Sequence, residues 1–321
     1  MSRRVCVHIG LPKTATTTLQ RGLFANHSEI EFLGKRAGDN LNPRFRRCRD
    51  ETAFRLGNQL FWDHVESIDL DEAKRLYREK MLPAVAPGRQ IVFSFEGLAV
   101  AGLEIRKAIA RNLRDVFGSC RIVIGIRQPV DLVEALYFQR LKRRHLGAQA
   151  KRFGLLRSPS TRQWLESIVA GDELAAHLDY GRTIRVFVEA LGRENVAVFA
   201  LEHLRSEPAE FARSLCEFLE IDPVEGARLL EGRRHNVRLT QSAVDRMLRF
   251  ERPGIASTFY SIAGRGVRKR IIGVARKDDL VHAKLSISPK IRRIIEDRTR
   301  DENRWIATEW QLPLKGYGYP V

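Results

Sequence analysis

The stretch Val5-Cys-Val-His-Ile-Gly-Leu-Pro-Lys-Thr-Ala-Thr-Thr-Thr-Leu-Gln20 constrains the fold more than any other part of the chain. An apolar run, Val5 to Ile9, meets Gly10 and Pro12, then Lys13 and the hydroxyls of Thr14, Thr16, Thr17 and Thr18. Leu19, Leu23 and Phe24 follow at helical spacing. A buried strand that turns tightly into a helix leaves backbone N–H groups without carbonyl partners, and the helix dipole adds positive potential at the same point. With the charge of Lys13 added, the stretch is a cradle for a phosphate or a sulfate.

The rest of the sequence repeats the alternation that such a start implies. Short runs rich in Val, Ile and Phe predict strands at Arg4–Ile9, Ile91–Phe95, Arg121–Ile126, Ile184–Phe187 and Val196–Ala200. Helical spacing predicts helices over Thr16–Asn26, Leu70–Lys80, Leu103–Val116, Val130–Arg143, Glu173–Leu191 and Ala209–Leu219, with Pro129 at a helix-opening position. This order predicts an α/β fold of three layers, a central and mainly parallel sheet flanked by helices. The chain reads as one domain over 1–321, with insertions near 38–63 and 140–162 and a mostly helical C-terminal segment from Thr240. The first insertion shows no clear periodicity, and the second is rich in Lys and Arg.

Composition narrows the classes further. No run approaches the roughly 18 apolar residues that cross a bilayer, and Met1-Ser-Arg-Arg leads into no signal-peptide core. A cytoplasmic protein is the expectation. Cys6, Cys48, Cys120 and Cys216 lie far apart without a CxxC pair, so buried free thiols are favoured over disulfides or a metal site. With 56 Lys and Arg against 39 Asp and Glu, the net charge of +17 suits anionic partners: a charged nucleotide, an acidic polymer or a lipid surface. Plain solubility explains the bulk charge equally well.

The loop differs from the Walker A pattern G-x-x-x-x-G-K-[ST], in which the lysine follows the last glycine and a hydroxyl binds magnesium. Lys13 comes only three residues after Gly10, and Ala15 and Thr16 stand where that glycine and lysine belong. His8-Ile-Gly-Leu-Pro-Lys-Thr-Ala-Thr-Thr-Thr18 instead resembles the 5′-phosphosulfate loop of the sulfotransferases that use 3′-phosphoadenosine 5′-phosphosulfate, PAPS. Ala15 replaces that family's glycine. In right-handed conformation at the helix start, which is the expectation here, alanine is harmless; at positive φ it costs roughly 1 kcal/mol.

Three further stretches extend the resemblance. Arg127-Gln-Pro is similar to the 3′-phosphate motif, with Ala135 in place of the serine expected eight residues on. Ser94-Phe-Glu96 is similar to a Ser-x-Glu pattern whose glutamate takes the acceptor's proton, although an acid there also suits a helix N-terminus. Arg234 and Asn236 match a later loop that approaches the nucleotide.

The resemblance implies sulfuryl transfer from PAPS to an acceptor hydroxyl, with no metal required. Pro12, Lys13, Thr14, Ala15, Thr16, Thr17 and Thr18 would hold the phosphosulfate, Arg127 the 3′-phosphate, and Lys13 would stabilise the leaving group. Glu96 would be the base, with His8 a competitor more suited to a structural role. The basic residues of the 140–162 insertion point to a carbohydrate or glycolipid hydroxyl as acceptor, anionic or lipid-linked, compatible with peripheral membrane contact. Two alternatives stand beside this reading: a nucleotide or small-molecule kinase on the same fold, and a basic nucleic-acid-binding protein, for which no recognition motif is present.

Overall fold

The computed structural model describes residues 5–34, 48–62, 64–95, 97, 101–146, 161–171, 177–232, 239–251, 259–260, 263–273 and 282–321. The chain forms two compact units, one of Met1–Gln128, Glu173–His235 and Asp297–Val321, the other of Pro129–Asp172 and Asn236–Glu296.

The first unit is built on a five-stranded parallel sheet: β1 (Val5–Gly10), β2 (Ile30–Phe32), β3 (Gln90–Ser94), β4 (Cys120–Ile126) and β5 (Val196–Ala200), in the order β2-β3-β1-β4-β5. Parallel neighbours need crossover connections, and helices supply them. Leu103–Phe117 joins β3 to β4, and Tyr180–Leu191 precedes β5. Since β3 and β4 flank β1 on opposite sides, the strand order reverses at β1. In open α/β sheets that reversal opens a crevice at the strands' C-terminal ends.

Alternation along the strands sorts the layers. Cys6, Val92, Val123, Ile30 and Phe32 turn to the face covered by Leu19, Leu23 and Phe24 and by the helix Pro208–Leu219. Tyr180–Leu191 packs with the helix Leu103–Phe117 and with β4 and β5. All four cysteines are buried and none is joined in a disulfide among the described residues, and burial pushes the Cys120 and Cys216 thiols up to about 12. Among the described residues no helix is long and apolar enough to cross a membrane.

Three expectations are corrected. Ile184–Phe187 is not a strand but part of the helix Tyr180–Leu191, whose buried Tyr180, Thr183, Ile184, Phe187 and Leu191 follow a helical period. A strand at Ile30–Phe32 was not anticipated, because three residues give too little alternation to read. The supposedly aperiodic 38–63 insertion contains a helix, Glu51–Phe61, with Asp50 Oδ1 accepting from the Ala53 N–H at 2.9 Å as its cap. Its Leu56, Leu60 and Phe61 are buried.

In the second unit, Pro129 opens the helix Pro129–Leu146 as expected. The helix therefore runs into the supposed 140–162 insertion, and Thr161–Ala170 forms another. Residues 147–160 lie outside the described residues. Arg265–Ile272 packs against both Pro129–Leu146 and Gln241–Arg249.

Candidate active site

Gly10 ends β1, and the chain turns back over the sheet before a short helix at Thr16–Thr18, which continues as a π-helical turn, Leu19–Phe24. Lys13 and Ala15 both adopt positive φ, 74° and 62°. Ala15 is thus left-handed rather than helical, which corrects the expectation. The N–H groups of Thr18 and Leu19 both reach the Ala15 carbonyl, at 2.8 and 3.1 Å, so the first turn closes on Ala15 while its own backbone stays outside the helix. Two left-handed non-glycine residues within three positions are a strained arrangement of the kind that curls backbone N–H groups toward an anion.

The loop lies flat because two glycines allow it. Gly10 and Gly125 are register partners on β1 and β4. A Cβ at Gly10 would come within 1.9 Å of Thr16 Cγ2, and one at Gly125 within 2.9 Å of Thr14 Oγ1. Thr14 and Thr16 therefore rest directly on the sheet, and Thr14 locks the turn by donating from Oγ1 to the Leu11 carbonyl at 2.7 Å. Thr16 and Thr18 are buried, while Lys13 and Thr17 are half-buried on the loop. Gly125 was not singled out in the sequence, although a glycine inside an apolar strand is itself a sign of close approach.

Arg127 emerges from the end of β4 beside this loop. It is buried, and its Nη1 donates to the Lys13 carbonyl at 3.3 Å. Three hydrogen bonds hold Arg127 and the Gln128 that follows it. Tyr180 Oη donates to the Arg127 carbonyl at 2.6 Å, the Gln128 N–H donates to Glu202 Oε1 at 3.2 Å, and Gln128 Nε2 donates to the Gly318 carbonyl at 3.1 Å. Tyr319 closes the arrangement by donating to Glu202 Oε2 at 2.8 Å. The C-terminal tail thus holds Gln128 and Glu202, next to the arginine that reaches the loop.

His8 sits beneath the loop, wholly buried. Its Nδ1 lies 2.7 Å from Ser94 Oγ, which also accepts from Gln20 Nε2 at 2.9 Å, and its Nε2 has no hydrogen-bond partner among the described residues. Burial lowers its pKa to about 3, so it is neutral at neutral pH and a feeble base. The trio ties β1, β3 and the turn after the loop together, and the Phe95 N–H, one residue before Glu96, donates to the His8 carbonyl at 3.1 Å. Glu96, Arg234 and Asn236 lie outside the described residues. Ala135 is half-buried within the helix Pro129–Leu146 of the second unit.

A parallel sheet with a lysine-bearing loop after its central strand and an arginine at the end of the neighbouring strand defines a P-loop-like α/β fold. Within that class the fold is that of the sulfotransferases. The chain is similar to the crystal structure of a sulfotransferase from Alicyclobacillus acidocaldarius, at 14% identity and a TM-score of 0.53, over 99% of this chain and 100% of the other. A mouse sulfotransferase, SULT7A1, complexed with PAP, aligns at 14% identity and a TM-score of 0.48, over 98% of this chain and 88% of that one. No protein-family model matches the sequence, and no curated protein matches it.

Proposed function

We propose that the protein is a PAPS-dependent sulfotransferase that moves a sulfuryl group to an acceptor hydroxyl. The observation that carries this reading is the loop itself: an early lysine, left-handed backbone at Lys13 and Ala15, and an arginine from the neighbouring strand hydrogen-bonded to the lysine's carbonyl. The donor set fits a phosphosulfate: backbone N–H groups and Lys13 suit its 5′ oxyanions, and Arg127 suits its 3′-phosphate. When bound, PAPS supplies the activated sulfuryl group. Lys13 neutralises charge that develops on the departing phosphate, and the loop's fixed N–H groups do so without reorganising. Thr14 and Thr16 keep the loop on the sheet, and Glu202, Tyr180 and Tyr319 position Arg127. Glu96 is our candidate for taking the acceptor's proton, since the buried, neutral His8 is suited to bracing the strands instead.

The sulfotransferase likeness covers 99% of the chain, which supports reading both units as parts of one catalytic domain. The acceptor is an anionic or lipid-linked carbohydrate hydroxyl in this reading. Its support is the distribution of charge: the second unit holds 22 Lys and Arg against 9 Asp and Glu, so +13 of the +17 resides there. A cytoplasmic enzyme, free of metal, completes the proposal.

Calorimetry and transfer together test it. The enzyme should bind 3′-phosphoadenosine 5′-phosphate well above AMP and should label an acceptor from radioactive PAPS. Magnesium-dependent ATP binding would favour the kinase instead. Generic, steeply salt-dependent RNA or DNA binding, with no preference for the 3′-phosphate, would favour the nucleic-acid binder.

A further inference from the structure

Within the second unit one buried cation has no hydrogen-bond partner among the described residues. Arg268, on the helix Arg265–Ile272, is only 1% exposed, yet its Nε and Nη1 find no partner among those residues. Guanidinium groups are almost never buried unpaired, because stripping water from the charge costs several kcal/mol unless an anion replaces it. The Glu251 carboxylate of this unit is engaged elsewhere: its Oε1 lies 3.2 Å from Arg144 Nε and 3.4 Å from His145 Nε2. His145, also fully buried, has Nδ1 3.1 Å from Tyr260 Oη. Tyr260 stacks on Phe250 with ring centroids 4.2 Å apart. Burial raises the Tyr260 pKa, and the positive charge of Arg268 partly opposes the rise. A buried guanidinium with two unpartnered nitrogens among the described residues thus lies within electrostatic reach of the Tyr260 phenol, on a helix packed against Pro129–Leu146 and Gln241–Arg249, in the unit that carries most of the protein's positive charge.

We infer that Arg268 is the centre of an oxyanion site in the second unit, which takes a sulfate, phosphate or carboxylate group carried by the acceptor. This rests on the sulfotransferase reading for the word acceptor, but the site itself does not. A planar guanidinium grips such a group with two parallel hydrogen bonds, which lysine cannot match. An acceptor bearing one anionic group besides its reacting hydroxyl would be selected over its neutral counterpart.

The test uses the full chain saturated with 3′-phosphoadenosine 5′-phosphate, so that the loop after β1 is already filled; that first titration reports on the sulfotransferase reading separately. Sodium sulfate is then compared with sodium chloride at equal ionic strength, following thermal unfolding of wild type, Arg268→Met and Arg268→Lys. Sulfate stabilises proteins generally by exclusion from their surface, so the difference between variants is the signal. Arg268→Met should fold at least as stably as wild type without added anion, since an uncompensated charge is gone, and should lose the extra sulfate response. Arg268→Lys should bind sulfate about 10- to 100-fold more weakly than wild type. A sulfated disaccharide should compete with inorganic sulfate, and its unsulfated form should not. Equal sulfate responses in wild type and Arg268→Met would overturn the site. Binding of inorganic sulfate without competition by the disaccharide would overturn its assignment to the acceptor. Should the loop fail to bind the nucleotide, the same comparison in a Lys13→Ala background reads the second site alone.

Discussion

The neutral, buried His8 should make this fold acid-labile by a calculable amount. Its pKa of about 3 lies well below the roughly 6.5 of a histidine in an unfolded chain. Between those values the unfolded state holds a proton that the native state refuses. Stability therefore falls as pH drops through about 6.5 and goes on falling until about 3. At about 1.36 kcal/mol per pH unit, the contribution near pH 5 is about 2 kcal/mol, and the full loss is on the order of 5 kcal/mol. The perturbation is His8→Asn, which keeps a polar group near Ser94 and removes the titration. Urea unfolding of both proteins at about pH 7.5 and about pH 5 gives four free energies, and all other titrations cancel in their double difference. The variant will be less stable at neutral pH because it leaves a cavity under the loop. That deficit should shrink by about 2 kcal/mol on acidification. A deficit that stays constant would mean that His8 titrates as freely in the native state as in the unfolded one, and the buried placement would be refuted. An inflection near pH 6.5 in kcat that vanishes in His8→Asn would refute its exclusion as the base.

Three further outcomes follow from the loop and its clamp. Ala15→Gly should raise stability by up to about 1 kcal/mol, since relief of about 1–2 kcal/mol of left-handed strain exceeds the 0.4–1 kcal/mol of added chain entropy; a loss of stability in urea titrations would show that Ala15 is not left-handed. Gly10→Ala should cost about 1–3 kcal/mol, because its Cβ would press to 1.9 Å from Thr16 Cγ2, and should weaken nucleotide binding by lifting the loop; calorimetry showing unchanged affinity would separate the loop from the ligand. Tyr319→Phe removes a hydrogen bond to the Glu202 carboxylate, so about 1.5–3 kcal/mol of stability should go. If Arg127 holds the 3′-phosphate, this variant's affinity for 3′-phosphoadenosine 5′-phosphate should fall more than its affinity for AMP.

How much of this is legible in the sequence depends on how local each signal is. The anion loop is a contiguous strand, turn and helix start, so Lys13 and its hydroxyl neighbours stood out, and β1, β3, β4 and β5 announced themselves as apolar runs. Ile184–Phe187 deceived for the same reason: four residues with three apolar members suit a strand, and only the longer record of Tyr180, Thr183, Phe187 and Leu191 reveals a buried helix face. The hydrogen bonds around Arg127 and Gln128 were invisible because Tyr180, Glu202 and the Gly318-Tyr319 pair come together from three distant places in the chain. Arg268 was hidden in another way, since Arg265-Gly-Val-Arg-Lys-Arg-Ile-Ile272 reads as a solvated basic run until packing shows which of its cations is inside.

Ala15 marks the finest of these boundaries. Whether it is the last residue of the turn or the first of the helix depends on which carbonyl the Thr18 and Leu19 N–H groups choose, a difference of one residue in a hydrogen-bond ladder. They choose Ala15 itself, which leaves its backbone free to go left-handed. A methyl group is then held where glycine would rest without strain. The cost is small beside the stability of a chain this size, and it falls on the residue that shapes the cradle. A left-handed Ala15 that raises stability when replaced by glycine yet leaves nucleotide affinity unchanged would show that the loop's curvature is set by the sheet-seated Thr14 and Thr16 rather than by the residue between them.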